Sequence, residues 1–439
     1  MTEPILQVEE LRKHFPVQGS FLSRLIGRKG GTVKAVDGVS LSLNRGEIFG
    51  LVGESGCGKT TLGRTILRLT DPTEGRILFQ GEEITHLSEA ELRPYRRRMQ
   101  IVFQDPHASL NPAMTIGQAI AHPLKIHGLV EEKGERKERV LQTLGEVGLE
   151  PAEDMYGRYP ADLSGGQKQR AVIARAMILR PTFVVADEAV AMLDMSVRAK
   201  ILELLMDLKR RYGLTYLFIT HDLATAKFLC DRVAIMYLGK VVELGKAEEI
   251  YASPWHPYTK ALLSAIPVPD PSKREPRVTA QGEVPDAVRP PMGCRFHPRC
   301  PEAFASCGWE PRDLRDRLEA RLLDPEVAVV IRTLDDVVID GQSLRVRAQG
   351  ERAERVATLL ESVVRKEGPL AKALLEVRSP EREVVVTFRD PAEPWDLVIG
   401  DRMVSCHLFD PEMVETPRVP GPVSRTPAGS QVADVGTSS

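Results

Sequence analysis

Short apolar runs recur along the first 250 or so positions, separated by stretches whose apolar residues fall at helical spacing. The runs EIFGLVG (47–53), TFVVADE (182–188) and TYLFITHD (215–222) predict buried strands. Each closes on glycine or polar residues, at the strand end where open α/β sheets collect ligands. RVAIMYLGKVVELG (232–245) predicts two strands turning at Gly239. Between about 105 and 175, strand-like runs give way to helical ones. The pattern as a whole predicts an α/β domain over residues 1–252 with a helical subdomain inserted into it.

The pattern changes near residue 253. SPWHPYTKALLSAIPVPDPSKREP is rich in proline and predicts an extended connector over 253–292. A cysteine-bearing segment follows at 293–312. EVAVVIRTLDDVVIDGQSLRVRA and EREVVVTF then flank a helical stretch in which Val356, Leu359, Leu360 and Val363 share one face. They predict a small α+β unit over 313–400, to which the residues assign no chemistry. A second short cysteine segment occupies 401–410, and the polar, proline-rich end, 411–439, is expected to be disordered.

Composition narrows the field only slightly. At 439 residues the chain has room for two or three domains, and 27% charged with 42% hydrophobic residues is ordinary for a globular protein. A net charge of -2 supplies no overall basic field, so nucleic acid is not an expected partner. The N-terminus lacks the pattern of a secretory signal, and nowhere do about 18 apolar residues run together, as a membrane span would need. An intracellular chain is expected. In that setting clustered cysteines point to metal or redox chemistry more than to structural disulfides.

GESGCGKTT carries the strongest chemical signal. It fits G-x-x-x-x-G-K-[ST] with Gly53, Gly58, Lys59 and Thr60, follows a predicted strand and opens a predicted helix. In that context backbone N–H groups of Glu54, Ser55, Gly56, Cys57, Gly58 and Thr61 can surround a phosphate, aided by the helix N-terminus. Lys59 would neutralise phosphate oxygens and Thr60 would offer its hydroxyl to Mg²⁺. FVVADE then ends a strand in Asp187, a Mg²⁺ candidate, and Glu188, which can orient or deprotonate an attacking water.

LSGGQKQR (163–170) lies between these two motifs and resembles the signature of ABC-family ATPases. Gln104 in IVFQDP resembles the Q-loop of that family, LD at 193–194 its D-loop, and His221 in FITHDL its switch histidine. The resemblance covers about residues 5–265. It implies an ABC-type P-loop ATPase with a RecA-like core, binding ATP and Mg²⁺ through Thr60, Gln104 and Asp187, with Glu188, His221 and Gln104 as catalytic residues. It further implies that Ser164, Gly165, Gly166 and Gln167, with Asp194, meet the γ-phosphate held by a second cassette, so that the chain works as a dimer. Phe15 is the expected adenine-stacking residue. DEAVAMLD departs from the family, which usually has Pro-Thr after the glutamate and Ser-Ala before Leu-Asp. The departure bears on hydrolysis rate, since the charged residues are all retained.

AVDGVSLSL, FQDPHASLNP, SPWHPYTKALLSAIPVPDP and FHPRCP resemble the ATPase subunits of bacterial oligopeptide and dipeptide importers. That branch ends in a cysteine-bearing module, in some members holding an iron–sulfur cluster. Cys294, Cys300 and Cys307 are spaced x5 and x6, and the resemblance of VSCH to family endings brings in Cys406, although 98 residues intervene. Four thiolates suit a [4Fe–4S] cluster or tetrahedral zinc. His297 and His407 stand nearby and are expected to be structural, as are Cys57 and Cys230. The resemblance implies a peripheral subunit on the cytoplasmic face of the membrane. Its implied partners are a second, paralogous ATPase subunit, two transmembrane permease subunits and, indirectly, an extracytoplasmic peptide-binding protein. Importers of nickel, glutathione or oligosaccharides share the branch, and a mainly regulatory subunit with weak hydrolysis is a further alternative.

Overall fold

The computed structural model describes residues 3–17, 31–266, 278, 280, 282–321, 323–325, 327, 337–366, 368–380, 382–414, 416–418 and 423–426. In chain order the strands are β1 (Leu6–Pro16), β2 (Thr32–Leu43), β3 (Ile48–Val52), β4 (Glu74–Phe79), β5 (Glu82–Glu83), β6 (Met99–Val102), β7 (Phe183–Asp187), β8 (Thr215–Thr220), β9 (Arg232–Tyr237) and β10 (Lys240–Lys246). Beyond the connector come β11 (Val337–Asp340), β12 (Ser343–Arg347), β13 (Leu374–Arg378), β14 (Glu383–Phe388), β15 (Asp396–Ile399), β16 (Arg402–Val404) and β17 (Ser424–Thr426).

Among the described residues these strands form three sheets. The largest has nine strands in the order β17-β15-β16-β10-β9-β3-β8-β7-β6. Its β3, β8, β7 and β6 run parallel, so their C-terminal ends share one edge. Every residue of β3, β7 and β8 is buried, as parallel strands covered on both faces must be. A second, antiparallel sheet, β2-β1-β4-β5, packs Leu6, Leu11, Val36, Ile77 and Phe79 against Phe49, Leu51, Phe183 and Leu217 of the first. Helices from Pro106–Ser109 to Gly165–Met177 lie between β6 and β7 in the chain, where the apolar pattern predicts a helical insertion. Ile116, Ile120, Leu124, Val140 and Leu144 from these helices join the core on the other side of the sheet. No described helix is long and apolar enough to cross a membrane.

The C-terminal third departs from expectation in four places. The connector is not extended throughout: Pro257–Ser264 is a helix, with Pro257 at its first position and the His256 ring accepting the Tyr258 N–H at 3.0 Å. The rest of the proline-rich run, 267–277, lies outside the described residues. The α+β unit begins earlier and ends earlier than 313–400. Its core gathers Trp309, Leu314 and Leu318 with Leu344, Val356, Leu360 and Phe388, over the sheet β11-β12-β14-β13. Of the expected EVAVVIR strand, only Val327 is a described residue.

The third difference is at 396–399, where β15 belongs to the nine-stranded sheet. It forms a hairpin with β16, which pairs with β10 through Glu243–Val404 and Leu244–Met403. The fourth is in the segment expected to be disordered, where Ser424–Thr426 pairs with β15. Exposed strand edges accept such partners from any point in the chain.

Leu360 is fully buried in the helix Glu351–Lys366. Leu360→Ala is expected to cost the α+β unit about 2–5 kcal/mol, read as an earlier urea transition. Nucleotide affinity should be unchanged, because that core is separate from those of the cassette.

Candidate active site

The parallel strand ends bring four loops together. Gly53 follows β3, Gln104 follows β6, Glu188 follows β7 and His221 follows β8. The first three loops border a cavity of about 390 Å³ whose lining includes Phe15, Ser55, Gly56, Gly58, Lys59, Thr60, Thr61, Gln104 and Glu188, while His221 is not in the lining and stands behind Glu188. Phe15, 39% exposed near the end of β1, lines the cavity with the Lys13 ammonium 4.8 Å from its ring centre.

The P-loop closes tightly on itself. Lys59, 5% exposed, donates to the carbonyls of Gly53 and Glu54, both at 2.9 Å. Gly58 caps the following helix at φ 106°, and a Cβ there would stand 2.0 Å from the Ala35 carbonyl oxygen. Only glycine meets both conditions. Cys57 is buried beneath the loop, its Sγ 3.8 Å from Lys59 Nζ, and Cys230 is buried against Gly50.

Asp187 accepts a hydrogen bond from Thr60 Oγ1 at 2.9 Å. Burial pushes its carboxyl pKa up, against the lowering effects of the Thr60 bond, Arg64 and Lys59. Glu188 is pinned differently. Gln104 Nε2 donates to its Oε2 at 2.8 Å, and His221 Nδ1 lies 3.2 Å from its Oε1. Its backbone has φ 48°, an uncommon conformation for a glutamate, and its N–H donates to the Ile219 carbonyl at 2.9 Å. The DEAVAMLD turn that follows is closed by the Ala191 N–H on the Glu188 carbonyl at 3.0 Å, with Ala189 and Val190 buried. Carboxylate, amide and imidazole thus converge at the mouth of a phosphate-binding loop, an arrangement able to orient water.

Ser164, Gly165, Gly166, Gln167 and Asp194 do not line this cavity. Ser164 caps the helix Gly165–Met177 in a reciprocal capping box with Gln167, and its exposed start carries free donor capacity. Asp194 caps the helix Met195–Tyr212 through the Val197 N–H at 2.9 Å.

Cys294, Cys300, Cys307 and Cys406 all border one small cavity, together with His256, Phe296, His297 and His407. Burial holds the Cys294 thiol up at about 11 and Cys300 at about 12. It raises Cys307 and Cys406 as well, with neighbouring cysteines adding to the shift. His297 Nδ1 bonds the Cys294 carbonyl at 2.8 Å, and His407 Nε2 the Ala392 carbonyl at 3.0 Å. Both rings are tied to backbone. Among the described residues no group of three or more His, Cys, Asp or Glu forms a site for a metal ion.

Sequence motifs did not point to Val33, Lys34, Ala35, Leu238 and Ala287, which complete the nucleotide cavity. Nor did they point to Tyr258, whose hydroxyl accepts the Glu54 N–H at 3.0 Å. These residues come from a neighbouring strand, a turn and the connector, and carry no local pattern.

Residues 36–191 match the model of the ABC transporter family, and residues 242–307 that of the oligopeptide/dipeptide transporter C-terminal region. A putative peptide import ATP-binding protein of Brucella ovis is 49% identical over 72% of this chain and 96% of its own. The oligopeptide transport ATP-binding protein AppF of Bacillus subtilis is 49% identical over 70% of this chain and 92% of its own. Among solved structures, cbiO1 of Clostridium perfringens, part of the ABC transporter complex cbiONQ, aligns with TM-score 0.48 and 29% identity over 57% of this chain and 92% of that one. The chain belongs to the ABC transporter ATP-binding family and carries the C-terminal region of its oligopeptide/dipeptide branch. It is an ABC ATPase, for which ATP with Mg²⁺ is the expected nucleotide.

The raised pKa of Asp187 bears on stability. An acid raised in the folded state favours folding while protonated, and that contribution is lost as pH rises through the folded value. Asp187→Asn is therefore expected to melt higher than wild type at neutral pH without nucleotide, the gap closing as pH falls into the carboxylate range. The same variant should lose Mg²⁺-dependent ATP binding. Parallel thermal melts and nucleotide titrations across pH check both.

Proposed function

We propose that this chain powers uptake of oligopeptides or dipeptides by a bacterial ABC importer, as one cassette of a dimer on the cytoplasmic face of the membrane. The observation that carries the reading is the Gln104–Glu188–His221 grouping at the P-loop mouth, in a chain whose next segment is the oligopeptide/dipeptide C-terminal region. In this reading Lys59 and the N–H groups from Glu54 to Thr61 hold the phosphates, and Phe15 stacks on the adenine. Thr60, Gln104 and Asp187 hold Mg²⁺. Glu188 takes a proton from the attacking water while Gln104 and His221 fix its orientation. Ser164, Gly165, Gly166, Gln167 and Asp194 face outward to the ATP of the partner cassette, a paralogue. Two permease subunits anchor the pair, and an extracytoplasmic binding protein delivers the peptide.

Glu188→Gln is expected to bind ATP with near-wild-type affinity and to turn over at least about a hundredfold more slowly, accumulating as a closed dimer. Turnover equal to wild type would exclude Glu188 from the chemistry. Reconstituted with its permease in vesicles, the wild-type pair should drive ATP-dependent uptake of labelled peptides. Uptake of a sugar or of nickel and no peptide would reassign the substrate.

The four-cysteine cavity is proposed to hold a [4Fe–4S] cluster, with Cys294, Cys300, Cys307 and Cys406 as ligands. The support is that four thiols, three of them buried and Cys300 half-buried, border one cavity with no lysine or arginine among its lining residues. A cation would reverse the electrostatics that keep them protonated. Zinc, the alternative, would take the same four sulfurs in a tetrahedral site. The cluster would supply a rigid cross-link between segments far apart in the chain. Anaerobically purified protein should contain iron and acid-labile sulfide near about four each per chain. One zinc, or no metal, would overturn the assignment and leave the ATPase reading intact.

A further inference from the structure

Two arginines of the cysteine loop reach the nucleotide pocket from behind. Arg299, next to Cys300, places Nη1 2.9 Å from Glu54 Oε2 and Nη2 3.2 Å from Glu54 Oε1. Glu54 belongs to the P-loop, so a guanidinium from the C-terminal region forks onto the phosphate-binding loop itself. Arg299 is buried, and its guanidinium lies 5.8 Å from the Tyr237 ring and 5.9 Å from that of Phe296. Those rings pack with Tyr258, whose hydroxyl takes the Glu54 N–H. Backbone and side chain of Glu54 are thus both held by residues beyond the cassette strands. Arg295, next to Cys294 and equally buried, donates to the Leu238 carbonyl and pairs with Asp37. Leu238 lines the nucleotide cavity.

We propose that Arg299 is a positioning residue of the ATP site, clamping Glu54 so that the fit of the P-loop to phosphate depends on the packing of the cysteine loop. The inference rests on the reading of the P-loop as the ATP site. A bidentate fork fixes both the separation and the relative plane of its two groups, which a single point charge does not. Arg299 touches no reacting atom. Its effect therefore belongs in nucleotide affinity and not in the chemical step.

Binding of a fluorescent ATP analogue, steady-state ATPase kinetics and melting temperature, all on the full chain, test this. Arg299→Met is expected to weaken binding about tenfold and to raise the KM for ATP in step, with kcat within about twofold of wild type. Arg299→Lys should recover little, because an ammonium cannot form the fork. Glu54→Gln should weaken binding in the same direction, and Arg299→Met/Glu54→Gln should be no worse than the weaker-binding single variant. An Arg299→Met protein that melts lower but binds ATP as wild type does would overturn the proposal, as would losses that simply add in the double variant. If Arg299→Met does not fold, Glu54→Gln decides alone: unchanged affinity sinks the clamp. Failure of wild type to bind the analogue would instead sink the nucleotide-site reading.

Discussion

A fully buried glutamate and its arginine partner fix the hairpin β15–β16 to the last strand of the cassette. Arg402, on β16, donates to Glu243, on β10, at 2.6 Å, and the glutamate is fully buried. The rest of the carboxylate is satisfied by the Trp255 and His256 N–H groups at 2.9 and 3.0 Å. The guanidinium also meets the Ser253 carbonyl and lies 3.8 Å over the Trp255 ring. Removing one partner of such a pair costs about 3–5 kcal/mol, because the other is left buried and charged. Here the pair ties together the last cassette strand, the start of the connector and the hairpin β15–β16. Cys406 follows β16 by two residues, so the same pair delivers the fourth thiol to the cavity of the other three.

The nucleotide site depends on a different constraint, the parallel alignment of β3, β8, β7 and β6. Parallel strands deposit their following loops on one edge, and four loops from four parts of the chain meet there. Glu188 is then set by its left-handed backbone and by two side chains from neighbouring loops. The signature helix start, in contrast, lines no part of this cavity, and Ser164 and Gly165 are exposed there.

Much of this was legible in the chain. The strands over 48–52, 183–187 and 215–220 follow from uninterrupted apolar runs, and the turn at Gly239 from its place between two of them. Gly53 to Thr60 is a local motif with local geometry, which is why it reads so clearly. The helix at 257–264 was masked by its prolines, although Pro257 sits where a helix tolerates one. The placement of β15, β16 and β17 had no local signal. Three short strands extend a sheet whose nearest partner, β10, lies some 160 residues earlier, and backbone pairing of that kind is indifferent to sequence distance.

The sequence by itself determined the phosphate loop, the Asp187–Glu188 strand end, the order of family motifs and the apolar face of the 351–366 helix. Each is encoded within one turn or one strand, where residue type and backbone geometry are directly linked. The family resemblance had grouped Cys406 with Cys294, Cys300 and Cys307, but only the tertiary structure decided how it reaches their cavity across the α+β unit, and that Arg299 reaches back to Glu54. Those contacts join residues about 100 and 245 positions apart. They are stabilised by burying apolar surface while each buried charge keeps its partner, which no local pattern can report.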